Sequence, residues 1–339
     1  MIELRSDTFT RPTPAMLQAM FSAPVGDDVF GEDPTVNELE DFAANLFGME
    51  AALYCPSGTM TNQIAIKVHT RPGDEVICES QAHVYIYEGG GIAFNSSAQA
   101  RTLPGIHGRI TAEQVASAVN PEDVHKSHST LVCLENTSNR GGGTCYNWDE
   151  MTAIRRVCDE NGMSLHLDGA RLFNALVAKS ESPGQYGGLF NSISICLSKG
   201  LGAPVGSLLL GNKDFILQAR RVRKVFGGGM RQAGFMAAAG LYSLKHNVER
   251  LQQDHNHALH LSQALQTCSW VAEVFPTETN IVIARVKPAG SAPAIAQQFK
   301  DAGVSLIAIS PDQIRMVTHL DVSASDIEKT LEIIGQIKR

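Results

Sequence analysis

Ser164-Leu165-His166-Leu167-Asp168-Gly169-Ala170-Arg171 reads as an apolar strand that delivers a carboxylate at its C-terminal end and follows it with glycine and arginine. In open α/β sheets ligands bind just beyond the carboxyl ends of the strands, so Asp168 is expected at a ligand crevice. The next such run, Ile193-Ser194-Ile195-Cys196-Leu197-Ser198-Lys199-Gly200, ends on an amine instead of an acid. A long charged side chain directly after a buried strand loses solvation unless it reacts or finds a partner.

Outward from these runs, short β-type segments alternate with helical patterns, the signature of an α/β fold with a mainly parallel sheet. Leu53 to Cys55, Glu75 to Cys78, Leu131 to Glu135, Ser164 to Leu167, Ile193 to Leu197 and Val205 to Leu210 are the candidate strands. Thr35 to Leu46 and Trp148 to Glu160 carry apolar residues at helical spacing. A helical stretch, Val248 to Leu265, leads into strand, helix, strand, helix (Ile281 to Val286, Ala292 to Ala302, Ile314 to Val317, Ala324 to Ile337), a smaller C-terminal α+β unit. The expected division is a large domain with an N-terminal arm, 1–247, and a small domain, 248–339.

The 339 residues are 43% apolar and 19% charged with a net charge of −7, a globular balance whose sign excludes an extended grip on nucleic acid or an anionic membrane. The nearest approach to a spanning helix, Ala233 to Leu244, is short and rich in Gly and Ala. Met1-Ile2-Glu3-Leu4-Arg5-Ser6-Asp7 mixes charges where a secretory signal would place an apolar run, and is read as a mature cytoplasmic N-terminus. Seven dispersed cysteines without a CxxC pair read as buried, reduced thiols.

An acid and an amine on successive strand ends are what a pyridoxal 5'-phosphate enzyme requires. The amine forms the Schiff base and the carboxylate keeps the pyridine nitrogen protonated, making the ring an electron sink. The alternative for Asp168 and Lys199 alone is a structural buried ion pair. Pro56-Ser57-Gly58-Thr59-Met60-Thr61-Asn62, between a strand and a helix, supplies a phosphate cup of backbone N–H groups and the Ser57 and Thr59 hydroxyls. An ordinary helix N-cap is the plainer reading of that stretch. His83 follows a strand end and shares the crevice, where it could lie on a pyridine ring and handle a proton near neutral pH.

Other patterns carry less. Gly200-Leu201-Gly202-Ala203-Pro204-Val205-Gly206 has one residue too many between its last glycines for a dinucleotide fingerprint, and Gly227-Gly228-Gly229-Met230-Arg231 lacks the Lys-Ser/Thr ending of a Walker loop. The latter reads as a flexible approach that lets Arg231 reach an anion. His255, His257 and His260 have no metal-ligand spacing and read as solvated histidines on a helix surface, so no metal site is expected.

Arg5-Ser6-Asp7-Thr8, Gly26-Asp27-Asp28-Val29-Phe30-Gly31-Glu32-Asp33-Pro34-Thr35, Leu134-Glu135-Asn136-Thr137, Leu167 to Arg171, Cys196 to Gly202 and Gly227 to Gln232 together resemble the low-specificity L-threonine aldolases, along the chain from Met1 to the C-terminal helix. That resemblance implies the fold of the aspartate aminotransferases (fold type I, PLP-dependent transferase-like). It also implies reversible retro-aldol cleavage of L-threonine or L-allo-threonine to glycine and acetaldehyde, in a homotetramer of dimers with shared active sites. It makes Lys199 the Schiff-base lysine, Asp168 the partner of the pyridine nitrogen and His83 the ring-stacking histidine. Ser57, Gly58 and Thr59 would hold the phosphate with Arg231 of a neighbouring subunit; Ser6, Arg171 and Arg315 would bind the substrate carboxylate. His83 and His125 would border the β-hydroxyl, with His83 the first choice for its base, and Tyr87 bears on the choice between threo and allo substrates. Ser138 departs from the family pattern, where many members carry histidine. Other amino-acid chemistries on the same Lys199 and Asp168, namely transamination, racemisation or β-elimination, are the competing expectation.

Overall fold

A computed structural model describes residues 1–337, so the last two residues of the expected 248–339 unit lie outside it. Seven strands form the large sheet: β1 (Ala51–Cys55), β2 (Glu75–Glu79), β3 (Gln99–Leu103), β4 (Ser129–Glu135), β5 (Ser164–Gly169), β6 (Ser192–Cys196) and β7 (Ser207–Gly211). Their order is β1-β7-β6-β5-β4-β2-β3, and only β7 runs against its neighbours. Both faces are covered by helices, so the central strands β5, β6 and β7 are buried along nearly their whole length. That burial is why they are legible as apolar runs. β3, the strand not anticipated, is the sheet's outer edge; its sequence Gln-Ala-Arg-Thr-Leu is half-exposed and carries no apolar run to betray it.

A second sheet of antiparallel strands (Ile307–Ser310, Gln313–Val317, Ile281–Val286, Val271–Val274, in that order) builds the C-terminal unit. Its core holds Trp270, Val282, Phe299, Ile314 and Met316, and also Ile2 and Leu4. Ile2–Glu3 pair in parallel with Val304–Ser305. The arm expected to belong with residues 1–247 therefore enters the small unit first and then crosses to the large one, because its two apolar side chains find their burial there.

The Leu251–Gln266 helix links the two units, and this corrects the reading of its histidines. His255 and His257 are buried, not solvated, and His255 Nε2 lies 3.2 Å from Asn174 Nδ2 of the neighbouring Leu172–Lys179 helix. A helix packed on both sides has no solvated face at those positions. Among the described residues, no helix is long and apolar enough to cross a membrane.

Candidate active site

Because β7 alone is reversed, the C-terminal ends of β1, β2, β4, β5 and β6 all open on one edge of the sheet. β1 leads into the Gly58–His69 helix, whose N-cap is Ser57; the Ser57 hydroxyl accepts from the Met60 N–H at 3.2 Å. Ser57 and Thr59 are exposed there, beside free N–H groups of the first turn. Gly58 lets this turn approach β6: a Cβ at that position would sit 2.5 Å from Cys196 Sγ. Next to it, Ser207 Oγ is buried without a hydrogen-bond partner among the described residues.

Lys199 lies in the loop after β6, half-buried, with its carbonyl accepting from Gly202 N–H (2.8 Å) and Thr10 Oγ1 (3.3 Å). Gly202, at φ +83°, closes that loop, so the glycines that imitate a dinucleotide fingerprint serve to present the lysine. Asp168, at the end of β5, accepts from Asn62 Nδ2 (2.9 Å) and from Ala170 N–H (3.1 Å). Among the described residues no ion pair joins it to Lys199, which removes the structural salt bridge as an account of the two groups.

His83, Lys199, Ser6, Arg171 and Arg315 line one pocket, together with Thr8, Glu135, Asn139 and Ala170. Arg171 is buried and makes a two-pronged contact with Asp7, Nε to Oδ2 and Nη2 to Oδ1, both 2.7 Å. Burial works to raise the Asp7 carboxyl, but the guanidinium overrides it and holds the group far below the usual carboxylate range. Arg315 donates to Asn139 Oδ1 at 2.9 Å and to the Arg5 carbonyl at 3.1 Å, while its Nε is buried without a partner among the described residues. Burial, then the like charge of Arg171, bring Arg315 down to about 10. Two guanidiniums lining one pocket form a site suited to a carboxylate.

Tyr87 stands beside His83, ring centroids 5.7 Å apart, and is half-exposed. Two expected site residues lie away from the pocket of their own chain. His125 is exposed and bound to Asp123 (Nδ1 to Oδ1, 2.8 Å), and Arg231 is exposed and bound to Asp27 (2.9 Å).

The buried polar groups packed around Asp168 and His83 escaped the sequence reading, above all Asn62, Glu88, Glu135 and His166. Glu135, ending β4, accepts the backbone N–H groups of His83 and Asn139, both at 2.9 Å. Burial, reinforced by Asp168, pushes its carboxyl up to about 7. Behind Asp168 runs a chain of hydrogen bonds whose direction is fixed by elimination. Asn62 Nδ2 donates to Asp168 Oδ2 and to Glu88 Oε1, so its Oδ1 faces His166 Nε2 (3.1 Å), which must donate. A neutral His166 then accepts at Nδ1 from Ser192 Oγ (2.8 Å), and Ser192 accepts from His69 Nε2 (2.8 Å).

Burial lowers His166 to about 4 and His69 to about 3, so both are neutral near pH 7. Groups lowered on folding bind protons more readily in the unfolded chain, so the stability they contribute is complete above about pH 6.5 and is lost as pH falls toward the folded values. For His166 the full effect is roughly 3 kcal/mol. The thermal midpoint should therefore fall between about pH 6.5 and 4, and fall less in His166→Gln; equal slopes for the two proteins would contradict the neutral chain.

The exposed hydroxyls and N–H groups at Ser57 to Thr59, a lysine without an ion-pair partner among the described residues, a carboxylate held by N–H donors and the nearby His83 ring suit a phosphorylated pyridine aldehyde. The strand order and the smaller antiparallel unit are those of the fold-type-I pyridoxal-phosphate enzymes, whose fold this chain shares. The family model for beta-eliminating lyases matches residues 3–289. The low specificity L-threonine aldolase of Escherichia coli (strain K12) is 45% identical over 328 residues, 96% of this chain and 96% of that protein. Low-specificity L-threonine aldolase 1 of Arabidopsis thaliana is 39% identical over 342 residues, 99% of this chain and 96% of that one. The solved threonine aldolase of Leishmania major superposes with a TM-score of 0.87 at 20% identity, covering 99% of both chains. The chain belongs to the beta-eliminating lyase family and, within it, to the low-specificity L-threonine aldolases.

Proposed function

We propose that this protein cleaves L-threonine, L-allo-threonine and related β-hydroxy-α-amino acids reversibly to glycine and an aldehyde. The observation that carries the reading is the pair Arg171 and Arg315, both lining the pocket that holds Lys199 and His83. Ser57, Gly58 and Thr59 would hold the cofactor's phosphate, Lys199 its aldehyde carbon and Asp168 its ring nitrogen. Bound there, the cofactor supplies a conjugated sink for the electron pair released at Cα.

The chain's own residues choose which bond breaks. Arg171, Arg315 and Ser6 would hold the substrate carboxylate and with it the rotation about Cα, which decides that the Cα–Cβ bond is the one presented for cleavage. Cleavage also requires the β-hydroxyl proton to leave, and His83 takes it, with Tyr87 beside it on the side-chain path.

His125 and Arg231 belong to this scheme only if a neighbouring subunit delivers them, which is the homotetrameric arrangement with shared sites. Arg231→Ala should then weaken cofactor retention, and mixing it with Lys199→Ala subunits should restore some activity; exchanging hybrids without recovery would count against sharing. The seven cysteines are all free thiols, which suits a reducing, cytoplasmic compartment.

Incubation with L-threonine tests the function. Glycine and acetaldehyde in equal amounts are expected, with L-allo-threonine and L-phenylserine run beside it. Formation of 2-oxobutanoate and ammonia instead would establish β-elimination, the chemistry that the matched family's description names.

A further inference from the structure

Glu88, in the turn after the short His83–Ile86 helix, has a side chain with no exposure to solvent and lies behind His83, which lines the pocket that holds Lys199. Its carboxylate accepts three N–H donors: Gln63 Nε2 at Oε2 (2.6 Å), and Asn62 Nδ2 (2.9 Å) and His83 Nδ1 (3.0 Å) at Oε1. Asn62 cannot turn its oxygen toward Glu88, because the same amide group faces two carboxylates, Asp168 and Glu88, and an oxygen there would be set against both. Gln63 is held in turn, its Oε1 accepting from Asn95 Nδ2 at 3.1 Å. Glu88 is thus locked on two sides by buried amides and presents an acceptor to one ring nitrogen of His83.

We infer that Glu88 is a positioning residue, which fixes the His83 ring with its proton on Nδ1 and leaves Nε2 as the nitrogen that takes the substrate's hydroxyl proton. The inference rests on the aldolase reading for its last step and deepens it. When the O–H bond breaks, its proton forms the N–H bond at Nε2, the oxygen's electrons close the carbonyl of the aldehyde, and the Cα–Cβ pair stays with the glycine fragment. The imidazolium so formed lies against the Glu88 carboxylate, so the acid stabilises the charge at the step that creates it.

The charged and titratable groups facing His83 are Glu88, Asp168 at the end of β5, Lys199 after β6, Glu135 at the end of β4 and Tyr87 on its own segment. Burial lowers the imidazole, but the contact with Glu88 and then the charge of Asp168 outweigh it and raise it overall. A general base must be neutral, so activity is lost below the His83 pKa, and removing the Glu88 charge should move that limit to lower pH.

Neutron diffraction of holoenzyme crystals near neutral pH should show the His83 proton on Nδ1, between the ring and Glu88; a proton on Nε2 alone would overturn the inference without any variant being made. In the Glu88→Gln holoenzyme, the acid limb of kcat/KM should shift down by about one pH unit or more. Glu88→Asp, which keeps the charge, should hold the limb near its wild-type place. A loss of activity equal at every pH in Glu88→Gln would reduce Glu88 to a packing role and refute its control of the base. The two levels fail separately: a wild-type enzyme that releases no glycine from L-threonine overturns the function, while the proton position still decides the placement of His83 by Glu88.

Discussion

Lys199→Ala is expected to abolish aldehyde release, a loss on the order of 10⁴-fold or more, together with the visible absorbance of the bound cofactor. The fold itself should survive. Lys199 is half-buried, makes no ion pair with Asp168, and its loop is held through its backbone by Gly202 and Thr10, contacts that alanine retains. The variant should therefore unfold near the wild-type temperature and keep a phosphate-dependent affinity for the cofactor. Spectra and melting curves measured on the same preparation check this. Retained absorbance would mean that a different amine carries the cofactor, and a collapsed melting temperature would return Lys199 to a structural role.

Arg171→Lys should be nearly as damaging, although it keeps the charge. The planar guanidinium uses Nε and Nη2 on Asp7 and leaves Nη1 toward Asn139 and the pocket. A lysine offers one point charge, so it satisfies either the buried Asp7 or the substrate, not both. Breaking a buried pair on one side costs roughly 3–5 kcal/mol, and the lysine recovers only part of it. We expect kcat/KM to fall by about 10²-fold or more, mainly through KM, with a lower melting temperature and unchanged cofactor absorbance. Steady-state kinetics on L-threonine and calorimetry measure the two effects. Asp7→Asn should show the same pattern more weakly; normal KM in both would remove Arg171 from carboxylate binding.

What could be read from the sequence is what local chemistry writes into adjacent residues. Asp168 stands at the end of a buried strand, Lys199 follows another after a short turn, and Ser57 caps a helix directly after a third, so both the strand and its chemical end lie in one short stretch. The Trp148–Glu160 helix and the Ile281–Val286 strand were legible in full for the same reason, their apolar periods being uninterrupted. Asn62, Glu88 and Asp7 were not. Asn62 meets Asp168 across 106 positions and Asp7 meets Arg171 across 164, so their roles exist only once the sheet is assembled. Nothing in Thr61-Asn62-Gln63 distinguishes amides that organise a carboxylate from amides on a helix surface. The buried histidines make the same point: His166 alternates within a strand and His255 lies on a helix, and burial from a second layer decides their state, not spacing. His125 and Arg231 are exposed in the single chain and bound to Asp123 and Asp27, so nothing in one chain's fold brings them to the pocket.

The crystal structure of the holoenzyme tests the central claim most directly. The account predicts continuous density from Lys199 Nζ into a pyridine ring, an Asp168 oxygen within hydrogen-bond distance of the ring nitrogen, and the phosphate on the Ser57 to Thr59 turn. A ring bound elsewhere, or one whose nitrogen lies out of reach of Asp168, would contradict it.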